Sequence, residues 1–225
     1  MQIERFVFNM VGENCYLIWD DNKNAALIDC GAFYEEEKSA VTSFIDKHQL
    51  NLVRLLNTHG HFDHVFGAAY ISEKYNVPIE LCEDERETFE NAVNQMQQFL
   101  HLNVDFKLPS ARKYFKDGDS LHVGNITLKV IETPGHTPGG VNFYSKADGV
   151  LFSGDNLFRR EIGRCDLPGG NERSLISTLR SKVLTLPGEV LVYPGHGPAT
   201  TISEEQMSNI YLLYAKVKFQ TSFFG

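Results

Sequence analysis

The chain has 225 residues, an apolar share of 42% and a charged share of 22%, which is typical of a soluble globular protein. A chain of this length buries roughly 70% of the surface that its unfolded form exposes, so it can fold without a disulfide or a structural metal. The net charge of -8 argues against nucleic acid as a partner, because phosphate binding requires a basic surface.

The sequence also bears on location. Residues 1–10 contain no basic segment followed by an apolar one, so no secretory signal is visible. No run approaches the roughly 18 apolar residues that a membrane span needs, which excludes a membrane partner. The four cysteines, Cys15, Cys30, Cys82 and Cys165, form no C-x-x-C pair. We therefore expect a cytoplasmic protein with free thiols.

Hydrophobic periodicity predicts strands and helices along the whole chain. The predicted strands are 2–8, 15–19, 25–29, 52–56, 79–81, 120–123, 126–132, 141–144, 150–152 and 190–193. The predicted helices are 35–48, 65–75, 84–101 and 172–184, with one or two further helices over 203–218. The acidic clusters 35–37 and 83–85 are typical of solvated helix starts. Strands with helices between them in both halves, and the absence of a linker, predict a single α/β layered domain over residues 1–225.

One run of the sequence, THGHFDH at 58–64, directly follows a predicted buried strand. His59 and His61, two residues apart on a loop, can point to one metal ion, and Asp63 with His64 can point to a second. Imidazole and carboxylate are the usual ligands of zinc and of ions such as iron or manganese. The run therefore predicts a metal centre, but four ligands do not complete two coordination spheres.

Further ligands are available at the ends of later strands. His136 lies in TPGHTPGG at 133–140, Asp155 ends FSGD at 152–155, and His196 lies in YPGHGP at 193–198. Each follows an apolar run and is flanked by Gly or Pro, residues that allow tight turns close to an ion. Catalytic side chains usually lie on such loops.

These motifs, in this order, resemble the metallo-β-lactamase superfamily, and the resemblance covers nearly the whole chain. It implies an αββα four-layer sandwich. It also implies a complete ligand set, in which Asp155 bridges two divalent ions that the other ligands hold in two groups of three. The first group is His59, His61 and His136, and the second is Asp63, His64 and His196. Zinc is the expected metal, with iron or manganese as alternatives.

Within the superfamily, the runs GRCDLPGG at 163–170 and PGHGPATT at 194–201 resemble the glyoxalase II (hydroxyacylglutathione hydrolase) branch. Few residues follow His196, so the resemblance is to a member without the branch's C-terminal helical domain. It implies hydrolysis of a small-molecule thioester such as S-lactoylglutathione, with Asp63 also orienting the attacking hydroxide. The residues leave the oligomeric state and the thiol half of the substrate open.

Three other functions remain as alternatives. A mononuclear iron dioxygenase acting on persulfides shares the fold and several ligands, but the full second set around His196 favours the hydrolase. A β-lactamase or lactonase is disfavoured by the loop 163–170. A non-catalytic metal or redox module is disfavoured because no ligand is missing.

Several other residues have structural interpretations. His48, His101 and His122 are expected to lie outside the site. Arg164 and Asp166 are expected to form a structural ion pair, and Cys165 is expected to be a small buried residue. Tyr144 and Phe158 either line the pocket or belong to the core, and the core is the favoured interpretation of both. Asp29 is either a strand-end turn or an acceptor for a ligating imidazole.

Overall fold

The structure is a computed structural model, which describes residues 1–101, 104, 106–110 and 112–213. The strands are β1 Gln2–Phe8, β2 Glu13–Trp19, β3 Asn24–Ile28, β4 Asn51–Leu56, β5 Ile79–Cys82, β6 Arg112–Phe115, β7 Ser120–Val123, β8 Ile126–Glu132, β9 Val141–Ser145, β10 Val150–Gly154, β11 Leu157–Phe158, β12 Glu161–Ile162, β13 Leu191–Pro194 and β14 Thr200–Thr201. The α-helices are α1 Glu35–His48, α2 Ala68–Tyr75, α3 Arg86–Glu90, α4 Ala92–Leu100, α5 Glu172–Thr178 and α6 Ile202–Ser208.

Two six-stranded sheets form the centre of the molecule. The first has the order β1-β2-β3-β4-β5-β6, antiparallel from β1 to β3 and parallel from β3 to β6. The second has the order β14-β13-β10-β9-β8-β7, in which β10 and β13 are parallel. Parallel neighbours end at the same edge of a sheet, so loops that follow β3 and β4, or β10 and β13, meet there.

Side chains on successive residues of a strand point to opposite faces of the sheet, and the apolar ones form three hydrophobic layers. On β2, Cys15 and Leu17 face one cluster, and Tyr16 and Ile18 face another, as the period of two requires. The first cluster packs α1 to α4 on the first sheet, the second fills the space between the sheets, and the third packs α5 and α6 on the second sheet. The predicted αββα sandwich is confirmed.

Some predicted elements were wrong in their bounds. The helix predicted at 65–75 begins only at Ala68, because Phe62–His64 form a 3-10 turn. The stretch 84–101 is broken at Asn91 into α3 and α4. The helix predicted at 172–184 changes at Leu179–Val183 into a wider π turn.

The short strands β6, β11, β12 and β14 were not predicted, because two to four residues carry too little periodicity. Of the one or two helices predicted over 203–218, the structure has two, α6 and a second helical segment at 210–213, and 214–218 lie outside the described residues. Within the described ranges, no helix is both long and apolar enough to cross a membrane.

Candidate metal centre

The predicted ligands converge at one edge of the sandwich, on loops that follow strands. His59 and His61 follow β4, His136 follows β8, and Asp155 and His196 follow the parallel pair β10 and β13. Asp63 and His64 lie in the 3-10 turn that comes next after His61. Five of the seven are buried, and the side chains of Asp155 and His196 are 13% and 25% exposed.

The first group consists of His59, His61 and His136, whose potential ligand atoms all lie within 4.8 Å of one another. His136 Nε2 lies 3.0 Å from His61 Nδ1. His59 Nε2 is buried without a hydrogen-bond partner in the described part of the chain. Three imidazole nitrogens therefore point to a common space.

The second group consists of Asp63, His64 and His196, which also lie within 4.8 Å of one another. Asp63 Oδ2 is 3.2 Å from His196 Nε2 and 3.6 Å from His64 Nε2. This group offers one carboxylate and two imidazole nitrogens, which is a common donor set for divalent transition metals.

Asp155 lies between the two groups. Its Oδ1 is 3.4 Å from His64 Nε2, and its Oδ2 is 3.7 Å from His136 Nε2 and 3.6 Å from His196 Nε2. Asp155 therefore faces nitrogens of both groups at once.

The arrangement fits metal ions better than it fits a hydrogen-bonded network. Ligand atoms that bind one ion at about 2.1 Å are roughly 3.0–3.4 Å apart, close to the separations found here. His64 Nε2 and Asp155 Oδ1 are buried and, among the residues that the structure describes, have no hydrogen-bond partner. Buried polar atoms without partners are costly, and bound ions would satisfy them.

Electrostatics differ between the two groups. Burial lowers the pKa of His59 well below its usual value and that of His61 to about 3. Burial opposes protonation of His64 too, but the surrounding carboxylates, led by Asp63, raise its pKa well above the ordinary value. Burial would raise the pKa of Asp155, yet three neighbouring imidazoles, led by that of His196, lower it strongly. The first group thus presents neutral nitrogens, and the second is a set of opposite charges.

Three of the predicted ligand imidazoles have a polar contact at Nδ1, the nitrogen that faces away from the centre. Asp29 Oδ2 lies 3.1 Å from His64 Nδ1, Thr58 Oγ1 lies 3.1 Å from His59 Nδ1, and the Arg164 carbonyl lies 2.8 Å from His136 Nδ1. Such contacts fix the ring orientation and leave the opposite nitrogen free for a metal. Of the two interpretations of Asp29, the structure supports the acceptor.

A family model described as the metallo-beta-lactamase superfamily matches residues 9–196. The chain belongs to the metallo-β-lactamase superfamily.

Relatives within the superfamily match nearly the full chain. The hydroxyacylglutathione hydrolase GloC of Haemophilus influenzae is 39% identical over 213 residues, covering 94% of this chain and 98% of GloC. The crystal structure of the B3 metallo-beta-lactamase BLEG-1 has a TM-score of 0.84 and 32% identity, covering 94% of this chain and all of BLEG-1. The structure of TTHA1623 in a di-iron-bound form has a TM-score of 0.82 and 32% identity, covering 93% of this chain and all of TTHA1623.

This superfamily member has a cavity of about 630 Å³ that opens beside His61. One wall comes from residues 83–99, and Pro138, Pro168 and Gly169 form part of the other. The lining includes Arg86 and four carboxylates, which belong to Glu83, Asp84, Glu87 and Glu90. Of the seven predicted ligands His61 alone lines this cavity, and the wall beside it is acidic.

The remaining histidines lie outside the centre, as predicted. His48 packs on Phe44, with ring centroids 4.0 Å apart. His101 ends α4 and His122 lies on β7, and both are exposed.

The loop 163–170 is held by an exposed ion pair and by backbone turns. Arg164 Nε donates to Asp166 Oδ1 at 2.7 Å, as predicted. Cys165 is half-buried, and Tyr144 lies in the core. The core prediction for Phe158 was wrong: its ring is half-buried and lies 6.3 Å from the ring of His196, at the edge of the centre.

Two buried carboxyl groups near the ligands were missed. Glu85 belongs to a cluster interpreted as solvated, which was wrong for this residue: it is fully buried and accepts hydrogen bonds from Gly60 and Gly139. Glu13 is also fully buried, and its backbone bridges to His196. Glu13 lies two positions before the predicted strand 15–19, and a charged residue in that place gives no local signal of burial.

Proposed function

We propose that this protein hydrolyses acyl thioesters, such as S-lactoylglutathione, with two divalent metal ions. One observation carries the proposal: two groups of ligand atoms lie side by side with Asp155 facing both. The similarity to GloC, named as a hydroxyacylglutathione hydrolase, supports a thioester as the substrate.

In this proposal each group would hold one ion, and Asp155, which faces both groups, would contribute to both sites. The first ion would bind His59, His61 and His136, and the second would bind Asp63, His64 and His196. When bound, the ions supply a water nucleophile that ionises near neutral pH and polarise the substrate carbonyl. We propose zinc, with iron or manganese compatible with the same nitrogen and oxygen donors.

The chain's own residues orient the reaction. Asp63 is the proposed catalytic residue: besides contributing its carboxylate to the second group, it would accept a hydrogen bond from the attacking water and so orient it. The cavity beside His61 receives the substrate. A thioester suits this site because a thiolate leaves readily and needs little general-acid help. The chain would act as one domain over residues 1–225 in the cytoplasm, and both remain predictions.

Metal analysis and kinetics of the wild-type protein test the proposal. We expect about two transition-metal ions per chain and release of free thiol from S-lactoylglutathione or another acyl thioester. One iron per chain with oxygen uptake on glutathione persulfide would instead identify a dioxygenase. Because BLEG-1 is named a β-lactamase, a chromogenic cephalosporin should be assayed in parallel, and turnover of it without thioester hydrolysis would reject the proposal.

A further inference from the structure

Glu85 connects two loops of the metal centre through its carboxylate. It is fully buried at the end of the 3-10 turn that precedes α3. Its Oε2 accepts a hydrogen bond from the Gly60 amide at 2.8 Å, and its Oε1 accepts one from the Gly139 amide at 2.7 Å. Each carboxylate oxygen therefore holds a different loop.

The two loops held by Glu85 supply every member of the first ligand group. Gly60 lies between His59 and His61, and Gly139 follows His136 by three positions. The ring nitrogens of His61 and His136 that face each other are 3.0 Å apart. A change in the separation of the loops would therefore change the spacing of these ligand atoms.

Both loops also pack directly on the backbone around α3. A Cβ added at Gly60 would lie 2.6 Å from the Phe89 nitrogen, and one at Gly139 would lie 2.7 Å from the Glu85 nitrogen. Both loops therefore lie so close to the backbone around α3 that neither glycine leaves room for a side chain. Side chains that accept only one hydrogen bond, or that reach less far, cannot hold both loops.

We propose that Glu85 is a positioning residue, whose carboxylate sets the spacing of the first metal-ligand group by joining the loops at Gly60 and Gly139. Its carboxylate belongs to neither ligand group and does not line the cavity beside His61. The inference rests on the proposed function only in taking His59, His61 and His136 as a metal site.

The test measures zinc binding by metal-free protein in competition with a chromogenic chelator. Glu85→Gln keeps the size of the side chain but replaces one acceptor oxygen with an NH2 donor, which cannot accept from a backbone amide. Glu85→Asp keeps the charge but shortens the side chain by one methylene group. Asp20→Asn is the matched control, since Asp20 also joins two turns by accepting from the Asn24 and Asn125 amides, at the opposite end of the strands.

Zinc binding by each ligand group is measured separately in a protein that lacks one ligand of the other group. His196→Ala leaves the first group intact, and His61→Ala leaves the second group intact. We expect each Glu85 variant to weaken zinc binding about 10–100-fold in the His196→Ala background. In the His61→Ala background, we expect the Glu85 variants to change the zinc affinity by no more than about threefold. We expect the same limit for Asp20→Asn in either background.

Unchanged zinc affinity of the first group, or equal weakening of both groups, would overturn the proposal. Glu85→Asp provides the answer if Glu85→Gln does not fold. Since zinc binding requires no substrate, a protein that binds zinc as expected but does not cleave thioesters would reject the proposed function and leave this inference standing.

Discussion

Asp29 Oδ2 accepts a hydrogen bond from His64 Nδ1 at 3.1 Å and thereby turns His64 Nε2 toward the carboxylates of Asp63 and Asp155. The same carboxylate of Asp29 accepts hydrogen bonds from the amide and hydroxyl of Thr58, each at 2.7 Å. β3 and β4 are parallel, so their ends bring Asp29 and Thr58 together. One carboxylate thus joins two strand ends to a proposed metal ligand.

We expect Asp29→Asn to weaken metal binding by the second ligand group about 10–100-fold, because an amide no longer fixes the His64 ring. The measurement is zinc affinity in the His61→Ala background. Asp20→Asn is again the control. If Asp29→Asn binds zinc with wild-type affinity, Asp29 serves only the strand-end turn.

His61→Ala should abolish the first metal site. We expect metal content to fall from about two ions per chain to about one and kcat/KM for the thioester to fall by at least about 100-fold. His122→Ala, which removes an exposed histidine on β7, is the control and should leave both values unchanged. A fully active His61→Ala protein would contradict the assignment of the first group.

Glu13→Gln should stabilise the metal-free protein in a pH-dependent way. Burial raises the pKa of Glu13 well above 4.5, so the folded state keeps its proton at a pH where the unfolded state loses it. Wild-type stability conferred by this group is therefore present below pH 4.5 and lost as the pH rises toward the folded pKa.

The gain in unfolding free energy from Glu13→Gln should accordingly be almost independent of pH below pH 4.5. Above pH 4.5 it should grow by about 1.4 kcal/mol per pH unit. Urea denaturation of both proteins across the pH range measures this. A difference that shrinks with rising pH would show that Glu13 is ionised in the fold.

Removing the metals with a chelator should leave the protein folded, because three hydrophobic clusters hold its layers. Each ion present at 100 times its Kd stabilises the fold by about 2.7 kcal/mol, so chelation of two ions should lower Tm by roughly 10–20 °C. Circular dichroism before and after chelation checks this. Loss of the secondary structure would mean that the ions are required for folding.

The acidic wall of the cavity should affect substrates by their charge. Glu83, Asp84, Glu87 and Glu90 repel the carboxylates of glutathione, and salt screens that repulsion. We therefore expect the KM for S-lactoylglutathione to fall as ionic strength rises, whereas the KM for an uncharged acyl thioester should stay constant. A KM that rises with salt would indicate attraction, and thus a different binding path.

Much of the fold could be predicted from local pattern. β1, α1, β7 and β8 have the predicted bounds, because alternation with period two or a long amphipathic pattern is strong in each. The two-residue strands β11 and β12 depend on each other for pairing, and no local pattern shows them.

The sequence by itself determined which donors are available and that each ligand lies on a loop after an apolar strand. Only the tertiary structure decided which atoms face each other, which imidazoles stay neutral and which residues support the ligands. Glu85 shows the physical reason: its partners at Gly60 and Gly139 are 25 and 54 positions away, so its burial depends on how the layers pack. The local sequence predicted a solvated helix start at Glu85. Long-range packing instead buries it between the loops that carry His61 and His136.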